Sequence, residues 1–89
     1  MAERRNKIET IVDILEVIRD KSKLKTTHIL YKSNLSHKKL KVLLEELMEK
    51  GLIKEHLEKK TRFYAITEKG LKFLGEYGKM KKFTDSFGF

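Results

Sequence analysis

The sequence predicts a small α+β domain that is mostly helical, and three features of the chain support this prediction. Apolar residues recur at helical spacing between residues 6 and 20, and again between residues 40 and 47. After Gly51 the apolar period changes to two, which is typical of β-strands. Helical spacing returns after Thr67. A length of 89 residues fits one domain, or one domain with a single added element.

The chain is strongly basic, with 21 Lys and Arg against 13 Asp and Glu and a net charge of +8. This excess favours a polyanionic partner, nucleic acid first and an anionic membrane second. The alternative is a lysine-rich soluble protein without such a partner. No apolar run approaches the ~20 residues that cross a bilayer, and the N-terminal residues contain no apolar h-region, so we expect a cytoplasmic, nucleoid-associated protein. The lack of cysteine excludes disulfides and thiolate metal sites.

The first predicted helix spans residues 6–20. Its apolar face contains Ile8, Ile11, Val12, Leu15 and Ile18. Ile14 and Val17 fall outside this stripe and widen the apolar arc. The wider arc is either a broad core face or a second surface that contacts a partner subunit. The basic residues Arg4, Arg5 and Lys7 form an N-terminal arm or the first turn of this helix.

A helix-turn-helix is predicted after a polar connection at residues 21–25, in which Leu24 is placed in a brief strand. Thr26 or Thr27 is expected to cap a short helix that ends near residues 33–34. Residues 34–36 form a tight turn into a longer helix at residues 36–50, which Ser36 caps and Gly51 ends. A short helix, a three-residue turn and a longer helix are the elements of this motif.

The longer helix has an unusual charge order. Its buried stripe is formed by Leu40, Leu43, Leu44 and Leu47. Lysines occupy its first turns and glutamates its second half: Lys38, Lys39 and Lys41 precede Glu45, Glu46 and Glu49. The helix macrodipole favours the opposite order by a few tenths to about 1 kcal/mol per charge. We therefore expect the N-terminal half to present positive charge and backbone N–H groups to a phosphate backbone.

A β-hairpin is predicted after Gly51. Ile53 and Leu57 alternate on the first strand, and Tyr64 and Ile66 share one face of the second. The connection at residues 58–61 is polar and basic but contains no glycine, so a looser loop is expected rather than a tight primed turn. The result is a basic-tipped hairpin that directly follows the longer helix.

The last helix is predicted to begin after a Thr67 cap, with Leu71 and Leu74 as core contacts. A second apolar line is expected to dimerise, and it consists of Phe73, Tyr77 and Met80. Glycines predict that the helix stops near Gly78. The tail beyond it mixes lysines with three phenylalanines, Phe83, Phe87 and Phe89. We expect residues 1–67 to form the domain, and residues 68–89 to form an added element.

The chain resembles the small archaeal winged-helix DNA-binding proteins. The resemblance covers residues 4–75 and is carried by IETIVDILEVI, KTTHILYKSNLSHKKLKVLLEELMEKGLI and FYAITEKGLKFL. Residues 64–70 are widespread among winged helices, whereas residues 25–36 are more specific to this family. The resemblance implies a transcriptional regulator or chromatin-associated protein that dimerises through an antiparallel C-terminal coiled coil. Gly75, Gly78 and the aromatic tail depart from the longer, glycine-poor helix of that family.

The predicted partner is therefore double-stranded DNA, with the helix at residues 36–50 in the major groove and the hairpin on phosphates or in the minor groove. The candidate DNA-binding residues are Thr26, Thr27, Tyr31, Lys32, Ser36, His37, Lys38, Lys39, Lys41, Val42, Lys59, Lys60 and Arg62. The alternatives are a solvated face for the lysines, a partly buried Tyr31, and a neutral capping-turn His37.

Catalysis finds little support. The histidines His28, His37 and His56 lack metal-ligand spacing, and no phosphate loop or nucleophile motif occurs. We expect no enzyme activity, no cofactor and no small-molecule ligand. The alternative function is a winged-helix module that binds another protein through Phe73, Tyr77 and Met80.

Overall fold

The computed structural model describes residues 6–21 and 23–88. It contains four helices and a three-stranded antiparallel sheet, so the predicted α+β, mostly helical class is confirmed. In chain order the elements are α1 (Lys7–Lys21), β1 (Leu24–Lys25), α2 (Thr26–Ser33), α3 (His37–Glu49), β2 (Ile53–Glu58), β3 (Thr61–Ile66) and α4 (Glu68–Ser86). The strand order is β1-β3-β2. The arm residues Arg4 and Arg5, and the tail residue Phe89, lie outside the described residues.

Helix α1 begins with a reciprocal capping interaction. The Glu9 amide donates to Asn6 Oδ1 at 2.8 Å, and the Asn6 amide donates to Glu9 Oε1 at 3.0 Å. Ile14 is fully buried and Val17 is half-buried against the core, so the wider apolar arc is a broad core face. Ile8 was expected on that face, but it is exposed beside α4 because it lies in the first turn, ahead of the core.

The core brings three helices together against one face of the sheet. Its fully buried side chains are Ile14, Leu15, Ile18, Ile29, Leu40, Leu44 and Leu47. The sheet side adds Leu24, Ile53 and Tyr64. Each fully buried aliphatic side chain stabilises the fold by roughly 1.5–3 kcal/mol relative to exposure. This packing fixes α2 and α3 on α1 and leaves their outer faces free.

The predicted threonine cap of α2 is wrong. The N-cap position is Lys25, which makes no side-chain capping bond, and Thr26 is the first helical residue. The reason is the sheet, because Lys25 is extended and paired with Phe63, so the strand runs directly into the helix. The end of α2 is as predicted, with Asn34 in the left-handed conformation at φ 59°.

Helix α4 begins at the predicted cap, where Thr67 Oγ1 accepts from the Gly70 amide at 3.1 Å. Leu74 is buried as expected, but Leu71 is 46% exposed, so its predicted core role is wrong. Gly70 takes that place, since it lies one residue earlier and packs directly on the Leu52 carbonyl and the Ile66 side chain.

The predicted end of α4 near Gly78 is also wrong, because the helix continues to Ser86. A glycine inside a helix costs about 1 kcal/mol without reversing the chain. The glycine that ends α4 in the left-handed conformation is Gly88, at φ +84°, immediately after the cap residue Phe87. The division of the chain after residue 67 stays a prediction. Within the described residues, no helix is long and apolar enough to cross a membrane.

Candidate nucleic-acid interface

The exposed face of α3 carries the predicted basic residues. The Ser36 hydroxyl accepts from the Lys39 amide at 3.2 Å, so Ser36 caps the helix as predicted. Lys38, Lys39 and Lys41 are all exposed, and the helix has no acid in its first turn and no base in its last. Val42 is exposed between them, although it is apolar. The N-terminal half of α3 therefore presents three cations around one apolar side chain.

Among the described residues, these three lysines form no ion pair with a carboxylate. The acidic half of α3 differs, since Glu46 Oε2 lies 3.0 Å from Lys7 Nζ of α1. That pair sits at the surface, so its effect on stability is small, about 0–1 kcal/mol. The pair does reduce the negative charge next to the lysines, which would otherwise weaken an anion site.

Helix α2 places its candidate residues in solvent. The Tyr31 side chain is 90% exposed, which excludes a core role for it. Thr27 and Lys32 are exposed, whereas Thr26 is half-buried at the start of the helix. His37 is exposed at the first position of α3. An exposed tyrosine on a charged surface is free to hydrogen-bond to a phosphate oxygen.

The hairpin, which we call the wing (residues 53–66), closes in a tight turn. Glu58 pairs with Thr61, and the two residues between them have positive φ angles, 46° at Lys59 and 68° at Lys60. Two positive φ values define a two-residue type I′ turn, so the predicted looser loop is wrong. The twist of the paired strands favours this turn even without glycine. Two lysines are thereby held in a conformation that costs roughly 1 kcal/mol or more each.

Several charges along the wing are paired with each other. Arg62 Nε lies 2.9 Å from Glu55 Oε2. Glu58 accepts from Lys23 at 2.8 Å and contacts His56 Nε2 at 3.0 Å, and these two partners lower the pKa of the Glu58 carboxyl. The cationic side chains at the tip itself, Lys59 and Lys60, are both exposed.

Relieving the strained turn is expected to stabilise the protein. Replacing Lys59 by Asn and Lys60 by Gly supplies the residues that best adopt type I′ geometry, and we expect a gain of about 1 kcal/mol. Urea unfolding checks this as a higher midpoint with an unchanged m value. The matched control is Lys59→Gln with Lys60→Gln, which removes the same charges but keeps the strain. Equal stability of both variants would show that charge, not backbone strain, limits this turn.

The structure adds Leu57, which the sequence did not single out for the site, and it shows where Lys7 of the predicted basic N-terminus lies. A groove of about 670 Å³ lies between α1 and α3, and it is lined by Lys7, Thr10, Leu35, Lys38, Lys39, Val42 and Leu43. Lys7 thus joins the α3 lysines through tertiary packing. Leu57 is exposed on the wing next to the basic tip. Leu57 lies on the same face of the strand as the buried Ile53, so strand alternation alone predicts that it is buried.

A protein-family comparison decides the family. The protein family described as winged helix-turn-helix matches this sequence over residues 4–85. The chain belongs to this family. The turn at residues 34–36 and the wing at residues 53–66 are its defining elements in this winged helix.

Solved structures show the same fold. The DNA-binding protein Sso10a-2 of Sulfolobus solfataricus superposes with a TM-score of 0.78 at 23% identity, covering 93% of this chain and 85% of that one. F93 from STIV, a winged-helix DNA-binding protein, gives 0.70 at 20% identity, covering 89% and 92%. The Staphylococcus aureus transcription regulator MepR gives 0.78 at 15% identity, and the match covers 88% of this winged helix and 60% of MepR. No curated protein sequence gives a significant match.

Proposed function

We propose that this winged helix binds double-stranded DNA as a transcriptional regulator or chromatin-associated protein, without catalysis. The observation that carries the proposal is the exposed N-terminal half of α3, with three lysines unpaired in the described structure. An α-helix of about 10–12 Å diameter fits the major groove, which is about 12 Å wide. The names of the structural neighbours Sso10a-2, F93 and MepR support the same class of partner.

In this proposal Lys38, Lys39 and Lys41 contact phosphates or guanine edges, and Val42 meets a thymine methyl group. Ser36 and His37 lie at the start of α3, where backbone N–H groups also face the phosphate. The residues of α2 that contact the adjacent backbone are Thr26, Thr27, Tyr31 and Lys32. Lys59, Lys60 and Arg62 place the wing on the neighbouring minor groove or its phosphates. Arg4 and Arg5, which lie outside the described residues, are also expected to contact phosphates.

A titration of duplex DNA at several salt concentrations tests the proposal. Each neutralised phosphate adds about −0.9 to the slope of log K against log salt. Six or more phosphate contacts therefore predict a slope of about −5 or steeper for each bound subunit. Affinity that does not change between low and high salt would contradict phosphate contact. Selection of bound duplexes from a random pool then separates a sequence-reading regulator from a general chromatin protein, which we also expect in the nucleoid.

We propose further that the DNA-binding form is a homodimer assembled through α4. Phe73 and Tyr77 are half-buried, and Met80 extends their line into solvent. This line continues through Thr84 to Phe87, which keeps the alternating spacing of four and three residues found in a coiled-coil seam. An apolar hollow of about 310 Å³ lies along the line, bordered by Ile8, Phe73, Glu76, Tyr77 and Met80.

In this proposal a second copy of the chain packs its own α4 against this apolar line. Met80, Phe83 and Phe87 are all exposed, and the two phenylalanine rings make an edge contact at 5.0 Å. In an antiparallel pair of α4 helices centred on Met80, Phe87 of each copy meets Phe73 of the other. This symmetric contact is closed, so it limits assembly to two copies and sets two α3 helices on neighbouring half-sites.

Replacing Met80 by Glu is expected to convert the dimer to a monomer, because each two-fold contact would bury two carboxylates. Sedimentation equilibrium measures the mass. The control is Leu71→Glu, which introduces the same charge on the opposite side of α4 and leaves the dimer intact. A wild-type protein that stays monomeric at high concentration would overturn the dimer. A monomer that also fails to bind DNA would instead favour a protein-binding module that uses Phe73, Tyr77 and Met80.

A further inference from the structure

The wing carries one apolar side chain where the fold gives it nothing to pack against. Leu57 is the fifth residue of β2, and 68% of it is exposed. It pairs across the hairpin with Arg62 and precedes the turn by two residues. A single exposed leucine is common on protein surfaces, so the surroundings of Leu57 decide what it means.

The exposure of Leu57 follows from the length of the wing. Strand alternation puts Leu57 on the same face as Ile53, and Ile53 is buried in the core. Leu57 lies about 13 Å further along the strand than Ile53, given roughly 3.3 Å per residue. The core ends before that point, so the apolar face of the sheet continues past the domain into solvent. Leu57 therefore adds little to the packing of the monomer.

The surroundings of Leu57 are cationic and narrow. Lys59 and Lys60 form the whole two-residue turn, and both are exposed. Arg62, the cross-strand neighbour of Leu57, is paired with Glu55 at 2.9 Å, and Glu58 is paired with Lys23 at 2.8 Å, so the positive charge at the tip comes from the two turn lysines. A two-residue turn makes the narrowest end that a hairpin can have. This shape and charge complement the minor groove, which is about 6 Å wide and bordered by phosphates. A protein partner with an apolar site would instead have to bury the charges of Lys59 and Lys60.

We propose that Leu57 is an apolar wedge that enters the minor groove, partly unstacks one base step and bends the DNA. This inference rests on the proposed DNA-binding function and adds DNA bending to it. Side chains of this type, inserted beside basic residues, kink duplexes by about 20–90° toward the major groove. Lys59 and Lys60 hold the tip on the two phosphate strands, and Leu57 supplies the contact between the base planes.

The test uses duplexes of about 30 base pairs with a dye at each end, together with 2-aminopurine placed across candidate base steps. Binding of the wild-type protein is expected to shorten the end-to-end distance and to raise the 2-aminopurine fluorescence at one step per wing. At protein concentrations that saturate the duplex, Leu57→Ala is expected to lose both signals. Leu57→Met, which keeps a long apolar side chain, is expected to retain both. Leu71→Ala, an exposed leucine on α4, is the matched control and is expected to bend DNA as the wild type does.

Failure of this inference differs from failure of the proposed function. Wild-type protein that binds the duplex without shortening it overturns the wedge but leaves DNA binding intact. Equal bending by wild type and Leu57→Ala also overturns the wedge, because another part of the protein would then bend the DNA. Wild-type protein that does not bind the duplex overturns both.

Discussion

Replacing Lys38, Lys39 and Lys41 together by alanine is expected to weaken binding to duplex DNA by about 100-fold at about 0.1 M salt. Each lysine that contacts a phosphate contributes on the order of 1 kcal/mol, and 1.4 kcal/mol corresponds to a tenfold change in affinity. The salt slope should become less steep by about 3, because three fewer counterions are released. All three side chains are exposed, so the fold should be unaffected. Fluorescence anisotropy with labelled duplexes measures both quantities.

The matched control for this variant removes three lysines elsewhere. Lys72, Lys79 and Lys82 are exposed on α4, and their replacement by alanine lowers the net charge by the same amount. We expect this control to lose less than about fivefold in affinity, since only the long-range field of the protein changes. Equal losses in the two variants would mean that net charge, and not the α3 surface, determines binding.

Replacing Gly70 by alanine is expected to destabilise the protein by about 3 kcal/mol or more. A Cβ atom at this position would lie 2.3 Å from the Leu52 carbonyl oxygen and 2.6 Å from Ile66 Cγ1. The carbonyl belongs to the backbone and accepts a hydrogen bond from the Thr67 amide at 3.1 Å, so it cannot move without breaking the start of α4. Overpacking of this kind typically costs 1–3 kcal/mol, and a clash with the backbone lies at or above the top of that range. Thermal unfolding should show a decrease in Tm of roughly 12–24 °C.

The other helical glycines provide the control for Gly70. A Cβ atom at Gly75 or Gly78 would meet nothing within 4 Å. Both residues lie inside α4, where alanine is favoured over glycine by about 0.5–1 kcal/mol. Gly75→Ala and Gly78→Ala are therefore expected to stabilise the protein. A Gly70→Ala variant as stable as these two would contradict this prediction, because it would show that α4 can move away from the Leu52 carbonyl at little cost.

Features of the fold that depend on local chemistry were predictable from the sequence. The Ser36 and Thr67 caps and the end of α3 at Gly51 follow from side-chain hydrogen bonding or backbone freedom. The apolar spacing of α1 predicted the wider arc but left open whether it faces the core or a partner, and the burial of Ile14 assigns it to the core. These signals act within one turn of the chain, so one sequence is enough to recognise them.

Two of the wrong predictions have a tertiary cause. The type I′ turn at Lys59 and Lys60 is imposed by the register of two paired strands, which overrides the preference of lysine for negative φ. Leu71 has helical spacing that fits the core, yet the close approach of Gly70 to Leu52 turns it toward solvent. Contacts between distant segments decided each case, and periodicity does not contain them.

In the candidate site, too, locally determined features were predictable from the sequence and tertiary contacts were not. The exposure of Lys38, Lys39 and Lys41 was predictable from helical spacing, because these positions lie off the face of α3 that carries the leucines. The pairing of Lys7 with Glu46 joins residues 39 positions apart and was not predictable. The roles of all these residues in DNA binding stay predictions until affinity is measured.

In the proposed dimer, the second half of α4 would link the folding of this protein to its concentration. After Tyr77, no hydrophobic side chain of α4 belongs to the core among the described residues, so the turns up to Ser86 gain little from apolar packing in a monomer. Isolated helical turns are marginal in water, and their opening free energy is close to zero. Backbone amides at residues 79–86 should therefore exchange with deuterium rapidly in dilute solution and slowly once two copies associate. The protection of these amides would thus report how much of the protein is paired, and the same segment would order or fray as the cellular concentration rises or falls.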